Sequence, residues 1–104
     1  MNGNEVSIKV AVEQFIAAKA VRKRERSLRI TVLRNGLLSN LTQMVTIREL
    51  QNNPDNLALK RAMQDTMAGS KISKLSVYKV FKKFFQYLNH TPGYDLNLSI
   101  DDYV

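Results

Sequence analysis

The sequence SKLSVYKVFKKFFQYL, residues 73–88, is the clearest indication of the fold of this chain. In an α-helix, positions three and four residues apart share a face, and this spacing separates the apolar residues here from the cationic ones. The pattern predicts a helix that packs against a core with one face and presents a stripe of lysines with the other. The apolar face consists of Val77, Tyr78, Phe81, Phe84, Phe85 and Leu88, and the polar face of Lys79, Lys82, Lys83 and Gln86.

Two amphipathic helices are predicted in the N-terminal half. The first runs from Ile8 to Lys19, with Ser7 as its N-cap. The second begins at Ser27 and continues through Gly36, although glycine costs about 1 kcal/mol relative to alanine in a helix interior. The residues that we expect these helices to bury are Ile8, Val12, Phe15 and Ile16 in the first and Ile30, Leu33, Leu37, Leu41 and Met44 in the second.

A short helix and a longer one are predicted before the last helix. Thr46 and Glu49 have the spacing of a capping box, which begins the short helix. Asn53 and Pro54 then suit the N-cap and the first position of a third long helix, and Gly69 suits its C-terminal end. The apolar seam of that helix consists of Leu59, Ala62, Met63, Thr66 and Met67.

The sequence thus predicts an all-α fold, a compact bundle of four to five helices with an extended C-terminal tail. The chain has 104 residues, 44% of them hydrophobic and 24% charged, which is typical of one globular domain. Pro92 ends the last helix, so residues 1–92 form the predicted helical domain and residues 93–104 the tail or the start of a linker. Apolar and polar residues alternate in the tail, but one strand cannot form a sheet.

Several classes of function are disfavoured by composition. The chain has no cysteine and a single histidine, His90, so we expect neither a disulfide framework nor a zinc site. It has four scattered glycines and no glycine-rich phosphate loop, and no serine is placed by pattern beside His90 and an acid. We therefore expect a non-catalytic domain without cofactors. Since no apolar run approaches the roughly 20 residues of a membrane span, we also expect a soluble, cytoplasmic protein without a membrane partner.

The charge distribution favours a polyanionic partner, nucleic acid before anionic membranes. Sixteen Lys and Arg against nine Asp and Glu give a net charge of +7. The cations concentrate in two clusters, one rich in arginine before and within the second helix and one rich in lysine around the last helix. The candidate DNA contacts are Arg22, Lys23, Arg24, Arg26, Arg29, Arg34, Lys71, Lys74, Lys79, Lys82 and Lys83. The aromatic residues of the last helix have core spacing, so a base-stacking role for them is the weaker interpretation.

The order of these elements resembles the N-terminal core-binding (SAM-like) domain of the tyrosine recombinases, the phage integrase family. The resemblance spans about residues 6–92 and rests on short, degenerate motifs. They are Val12-Glu13-Gln14-Phe15-Ile16-Ala17-Ala18-Lys19, Arg26-Ser27-Leu28-Arg29, Thr46-Ile47-Arg48-Glu49-Leu50 and Phe84-Phe85-Gln86-Tyr87-Leu88.

This resemblance implies a helical bundle that clamps one face of duplex DNA during integration or recombination, opposite a separate catalytic domain. The family's catalytic residues lie in that other domain, and no motif for them is present here. The implied partners are double-stranded DNA and a catalytic domain or other protomers of a recombinase. Two alternatives stay open: a small protein-interaction module of phage or plasmid type that docks on an acidic protein, and a binder of single strands or RNA.

Overall fold

The computed structural model describes residues 5–18 and 22–104, and within them the chain forms five helices and no strand. The helices are α1 (Ile8–Ile16), α2 (residues 23–40), α3 (Ile47–Asn52), α4 (Leu57–Gly69) and α5 (Lys74–His90), and a 3₁₀ turn (Ile100–Asp102) lies in the C-terminal tail. The Cα radius of gyration is 12.7 Å, close to the value of about 13 Å for a compact domain of 100 residues. The predicted all-α bundle with an extended tail is confirmed.

Most of these helices begin at a residue whose side chain caps the first turn. Such caps are favourable because the first amides of a helix have no partner within it. The Val10 amide donates to Ser7 Oγ at 3.3 Å before α1, and the Glu49 amide donates to Thr46 Oγ1 at 3.2 Å before α3. Both predicted caps are confirmed. An isolated antiparallel bridge between Ser7 and Thr46 holds these two helix starts side by side.

Two predicted helix starts are wrong. The second helix begins at Lys23 after Arg22, which is extended, so Ser27 lies inside α2, where its carbonyl accepts a hydrogen bond from Thr31 Oγ1 at 3.0 Å. Likewise α4 begins after Asn56, whose side chain accepts from the Leu59 amide at 2.9 Å.

Asn53 and Pro54 therefore lie in the turn between α3 and α4. The reason is a tertiary contact from the tail. The hydroxyl of Tyr103 donates to the Pro54 carbonyl and accepts from the Asn56 amide, which keeps these residues out of the helix.

The second helix is continuous but not uniform. It is α-helical over Lys23–Arg29, π-helical over Ile30–Leu37 and α-helical again over Leu38–Asn40. Leu33 and Leu37 are buried as predicted. The predicted burial of Met44 is wrong, because the helix ends at Asn40 and the Met44 side chain is 75% exposed in the following loop. The first helix ends at Ile16, with Ala17 as its C-cap, so its predicted extension toward Lys19 is wrong; Lys19 itself lies outside the described residues.

One core joins the helices. Helix α2 contacts α1, α4 and α5, and α5 also contacts α1 and α4. The ring of Phe15 on α1 lies 5.4 Å from that of Phe84 and 5.3 Å from that of Tyr87, both on α5. The predicted apolar face of α5 is confirmed, with Tyr78 half-buried at its edge. The buried residues of this face are Val77, Val80, Phe81, Phe84, Phe85 and Leu88.

The C-terminal tail packs against the bundle as an extended segment. Gly93, with φ of 89°, reverses the chain after α5. Asn89 on α5 then binds the backbone of Leu98 twice, donating to its carbonyl at 2.9 Å and accepting from its amide at 2.8 Å. The alternating apolar residues of the tail thus face the core. Those that are buried are Tyr94, Leu96, Leu98, Ile100 and Tyr103.

Among the helices that the structure describes, none combines the length and the apolar composition required to cross a membrane.

Candidate functional site

A groove of about 270 Å³ lies between the first turns of α2 and the middle of α5. It is the place where the arginine-rich and the lysine-rich clusters of the sequence meet. Cationic side chains form its rim, half-buried and buried apolar side chains form its floor, and one carboxylate lies among them. The residues that line it are Arg22, Arg24, Glu25, Leu28, Arg29, Ser76, Lys79, Val80 and Lys83.

An ion pair across the groove connects the two clusters. Lys83 Nζ on α5 lies 2.7 Å from Glu25 Oε1 on α2, and the same oxygen lies 3.4 Å from Arg29 Nη2. The hydrogen bond from Lys83, with the positive charges of Lys83 and Arg29, lowers the pKa of Glu25 below its ordinary value. Glu25 is therefore ionised at neutral pH, and its ion pair with Lys83 links α2 to α5 at this point.

Arg29 is a structural residue and not a surface cation. It is 8% exposed. Its Nη1 donates to the Phe15 carbonyl at 2.9 Å, and its guanidinium carbon lies 3.8 Å from the centre of the Phe15 ring. Because these contacts use the side chain inside the bundle, we remove Arg29 from the set of candidate phosphate contacts. Its Nε atom is buried and has no hydrogen-bond partner among the described residues.

Four cations remain on the rim. Arg22, Arg24 and Lys79 are exposed, and none of them forms an ion pair with a described residue. Lys83 is 56% exposed in spite of its pair with Glu25. Lys79 and Lys83 are four residues apart on one helical face. Since the charges of Glu25 and Arg29 cancel, the groove has a net charge of +4.

Two further cations of α2 lie outside the groove. Lys23 and Arg26 are exposed. Neither of them lines the groove, and Lys23 lies about 160° around the helix from Glu25. They extend the positive surface of α2 without lining the groove.

The remaining predicted contacts lie elsewhere. Arg34 pairs with Glu13 on α1, donating from Nε at 2.9 Å, and this hydrogen bond lowers the pKa of Glu13. Lys71 lines a separate depression between α2 and α4. Lys82 lies beside the tail, next to Leu98. Lys74 is exposed at the start of α5, about 140° around the helix from Lys79. The structure therefore brings together only part of the predicted set.

Sequence reasoning missed four residues of the groove: Glu25, Leu28, Ser76 and Val80. Glu25 counted only as an isolated acid in a basic run, although its spacing of four residues from Arg29 is typical of a helical ion pair. The sequence assigns Leu28 and Val80 to no site, because apolar residues at core spacing give no indication that they border a surface groove. The partnership of Glu25 with Lys83 spans 58 residues and has no signal in one sequence.

Comparison of the chain with protein-family models, curated proteins and solved structures finds no match.

Proposed function

We propose that this protein binds duplex DNA through the surface formed by the N-terminal part of α2 and the exposed face of α5. One observation carries the proposal: two basic clusters, about 45 residues apart in sequence, line the two sides of a single groove. Arg22 and Arg24 lie on one side, and Lys79 and Lys83 lie on the other. Such a pair of cationic rims matches the regularly spaced phosphates of a duplex.

The residue types support a phosphate ligand. The planar guanidinium of arginine donates two parallel hydrogen bonds to phosphate oxygens, and lysine supplies a compact point charge. Lys23 and Arg26, which are exposed on α2 outside the groove, extend the positive surface beyond it. Such phosphate contacts position a protein on DNA without choosing a sequence, so we propose binding and no particular site.

The resemblance to the core-binding domain of tyrosine recombinases remains a prediction that is consistent with this proposal. That family would place the second and last long helices nearest the DNA, and these are the helices that border the groove. Under this hypothesis, the catalytic step belongs to another domain or protein, and the present chain supplies the clamp. We accordingly propose no catalytic residue here.

The test is a fluorescence anisotropy titration of a labelled duplex and of its single strand, each at several salt concentrations. With four phosphates neutralised by the rim, log Kobs against log salt has an expected slope of about −3.6 for the duplex. Lys79→Gln removes one rim cation and reduces the magnitude of that slope by about 0.9. Lys71→Gln makes the same charge change in a separate depression and leaves the slope almost unchanged.

Two results would contradict the proposal. One is duplex binding that is absent or insensitive to salt. The other is an equal loss of affinity in Lys79→Gln and Lys71→Gln, which would indicate a diffuse charge effect without a defined surface. Tighter binding of the single strand than of the duplex would instead favour the alternative of a single-strand or RNA binder.

A second candidate function is docking on an acidic protein, and the apolar part of the surface favours it. Leu75, one turn before Lys79 on α5, is 63% exposed, and Leu28 and Val80 line the groove. An amphipathic segment with carboxylates would pair with the same lysines. This function predicts a defined protein complex that survives nuclease treatment and that Leu75→Gln weakens, while duplex affinity stays unchanged.

A further inference from the structure

We propose that the groove between α2 and α5 receives one unstacked nucleobase of the bound nucleic acid, while the phosphates on either side of it contact the cationic rim. The inference rests on the proposed DNA binding and adds a ligand subsite to it. It predicts that the protein prefers DNA with an unpaired nucleotide over fully paired DNA.

The shape and lining of the groove support a base. Its volume of about 270 Å³ lies just below the range of roughly 300 to 1,000 Å³ that is usual for pockets of drug-sized ligands. A space of this size suits one planar ring system with part of its sugar. Leu28 and Val80 supply the apolar surface against which an extruded base packs.

The polar groups within the groove match the edge of a base better than they match a phosphate. The Glu25 carboxylate accepts hydrogen bonds only, so it repels phosphates and suits the amino groups of cytosine, adenine and guanine. Arg29 lies in the same wall with a buried Nε that has no partner in the described part of the chain. Because that atom is inaccessible, the acceptor that this wall offers to a base is the Glu25 carboxylate.

The same carboxylate argues against an acidic peptide as the occupant. An aspartate or glutamate that entered the groove would approach Glu25, which already shares Lys83 and Arg29. Unlike a carboxylate side chain, a nucleotide has its anionic phosphate at one end and an uncharged base with N–H donors at the other. That arrangement matches a cationic rim above a floor that contains one acceptor.

The experiment compares three labelled duplexes of one sequence: fully paired, with a single extra cytosine in one strand, and with an extra abasic residue at the same place. We expect the cytosine bulge to bind about tenfold tighter than the paired duplex, because part of the base leaves water for the apolar side chains of the groove. The abasic bulge has the same flexibility without the base, and we expect it to bind like the paired duplex.

Leu28→Gln serves as the variant and Leu57→Gln as its matched control. Leu28 borders the groove, whereas Leu57 is 59% exposed at the start of α4 and outside it. Leu28→Gln should abolish the preference for the cytosine bulge over the paired duplex, and Leu57→Gln should keep that preference. A fourth duplex with an extra thymine, which carries no amino group, should bind more weakly than the cytosine bulge, and Glu25→Gln should reduce this difference.

The outcomes separate the two proposals. Salt-dependent binding of all three duplexes with equal affinity would overturn the base subsite and leave DNA binding intact. An abasic bulge as tight as the cytosine bulge would overturn it too, since the protein would then recognise a flexible backbone. Absence of binding to every duplex would overturn DNA binding itself. If Leu28→Gln does not fold, the comparison of the cytosine and abasic bulges with the unaltered protein still decides the question.

Discussion

At the scale of single residues, Arg29 shows how one side chain changes role when the chain folds. It belongs to a basic run in the sequence, but its guanidinium stacks on the Phe15 ring and donates to the Phe15 carbonyl, which fixes the start of α2 on the end of α1. A charge of this kind is tolerated inside the bundle because it has an aromatic face, a carbonyl and the Glu25 carboxylate around it.

Arg29→Lys should therefore destabilise the protein although it keeps the charge. Lysine has no planar group to stack on Phe15 and to reach both Phe15 O and Glu25, so we expect a loss of about 1 to 2 kcal/mol in the free energy of unfolding. Urea denaturation followed by circular dichroism measures it. Arg26→Lys, the same change at an exposed site on α2, should alter stability by less than about 0.5 kcal/mol. Equal effects of the two changes would refute the buried role of Arg29.

Glu25 and Glu13 give the stability of this protein a dependence on pH. Hydrogen bonds from Lys83 and Arg34, respectively, lower the pKa of each carboxyl below 4.5 in the folded state. A lowered folded pKa means that the unfolded chain binds protons first, so this stabilisation is present above about pH 4.5 and is lost as the pH falls through the folded pKa. Each pair is exposed to solvent, so screening keeps its contribution to stability small.

The double variant Glu13→Gln/Glu25→Gln isolates this effect. At about pH 7 and low salt it should melt below the unaltered protein, and this difference should shrink as the pH falls through the lowered folded pKa of the two carboxyls. Salt near 1 M, where the Debye length is about 3 Å, should shrink the difference at neutral pH. A difference that persists unchanged at low pH would show that the glutamates stabilise the fold by packing and not by charge.

At the scale of the elements, Gly36 explains how α2 approaches α4. A Cβ atom at this position would lie 2.6 Å from Thr66 Cγ2 and 3.3 Å from the Thr31 carbonyl oxygen. Thr66 cannot turn aside easily, because its hydroxyl donates to the Ala62 carbonyl at 2.7 Å and accepts from Asn40 Nδ2 at 2.9 Å. The glycine that weakens α2 as an isolated helix thus permits the close crossing of two helices.

Gly36→Ala should consequently destabilise the protein by about 1 to 3 kcal/mol, since the clash with Thr66 outweighs the gain in helix propensity of about 1 kcal/mol. Thr66→Ser removes the offending methyl group and keeps the hydroxyl, so the double variant Gly36→Ala/Thr66→Ser should recover most of the loss. Chemical denaturation of the four members of this cycle measures the coupling. Gly69→Ala, which has open space around it, is the control and should be neutral or slightly stabilising.

The element boundaries show what one sequence can and cannot specify. The starts at Ser7 and Thr46 were predictable because each cap acts within its own first turn. The start at Asn56 was not, because the choice between it and Asn53 depends on Tyr103, which is 47 residues away from Asn56. Helical periodicity identified the buried face of α5 for the same local reason. The same periodicity wrongly extended α2 to Met44, because an apolar residue at helical spacing does not show where a helix ends.

At the scale of the whole molecule, only part of the candidate site could be predicted from the sequence. Composition identified the two basic clusters, since local charge density is a property of the sequence. Their meeting at one groove depends on how α2 and α5 cross, and the removal of Arg29 and Arg34 from that surface depends on partners in α1. Such pairings follow from tertiary packing, so a single sequence cannot distinguish a free cation from a paired one.

The C-terminal tail contributes buried side chains to the core of this molecule. The Tyr103 ring is fully buried and meets the Phe85 ring edge-on, with 5.0 Å between centroids and 84° between planes. Its hydroxyl holds the turn before α4 through Pro54 and Asn56. The residue therefore ties the end of the chain to both α5 and α4.

Tyr103→Ala should cost about 3 to 5 kcal/mol in the free energy of unfolding, as large-to-small changes of buried aromatic residues do. Tyr103→Phe keeps the ring and leaves the Asn56 amide without its acceptor, so it should cost about 1 to 3 kcal/mol. Urea denaturation of both variants separates ring packing from hydrogen bonding, and Val104→Ala, at the 39% exposed last residue, is the control. If all three variants unfold at the same urea concentration as the unaltered protein, the tail does not stabilise the fold; if Tyr103→Ala unfolds at much lower urea and Tyr103→Phe at slightly lower urea, the helices need these last residues to form a stable domain.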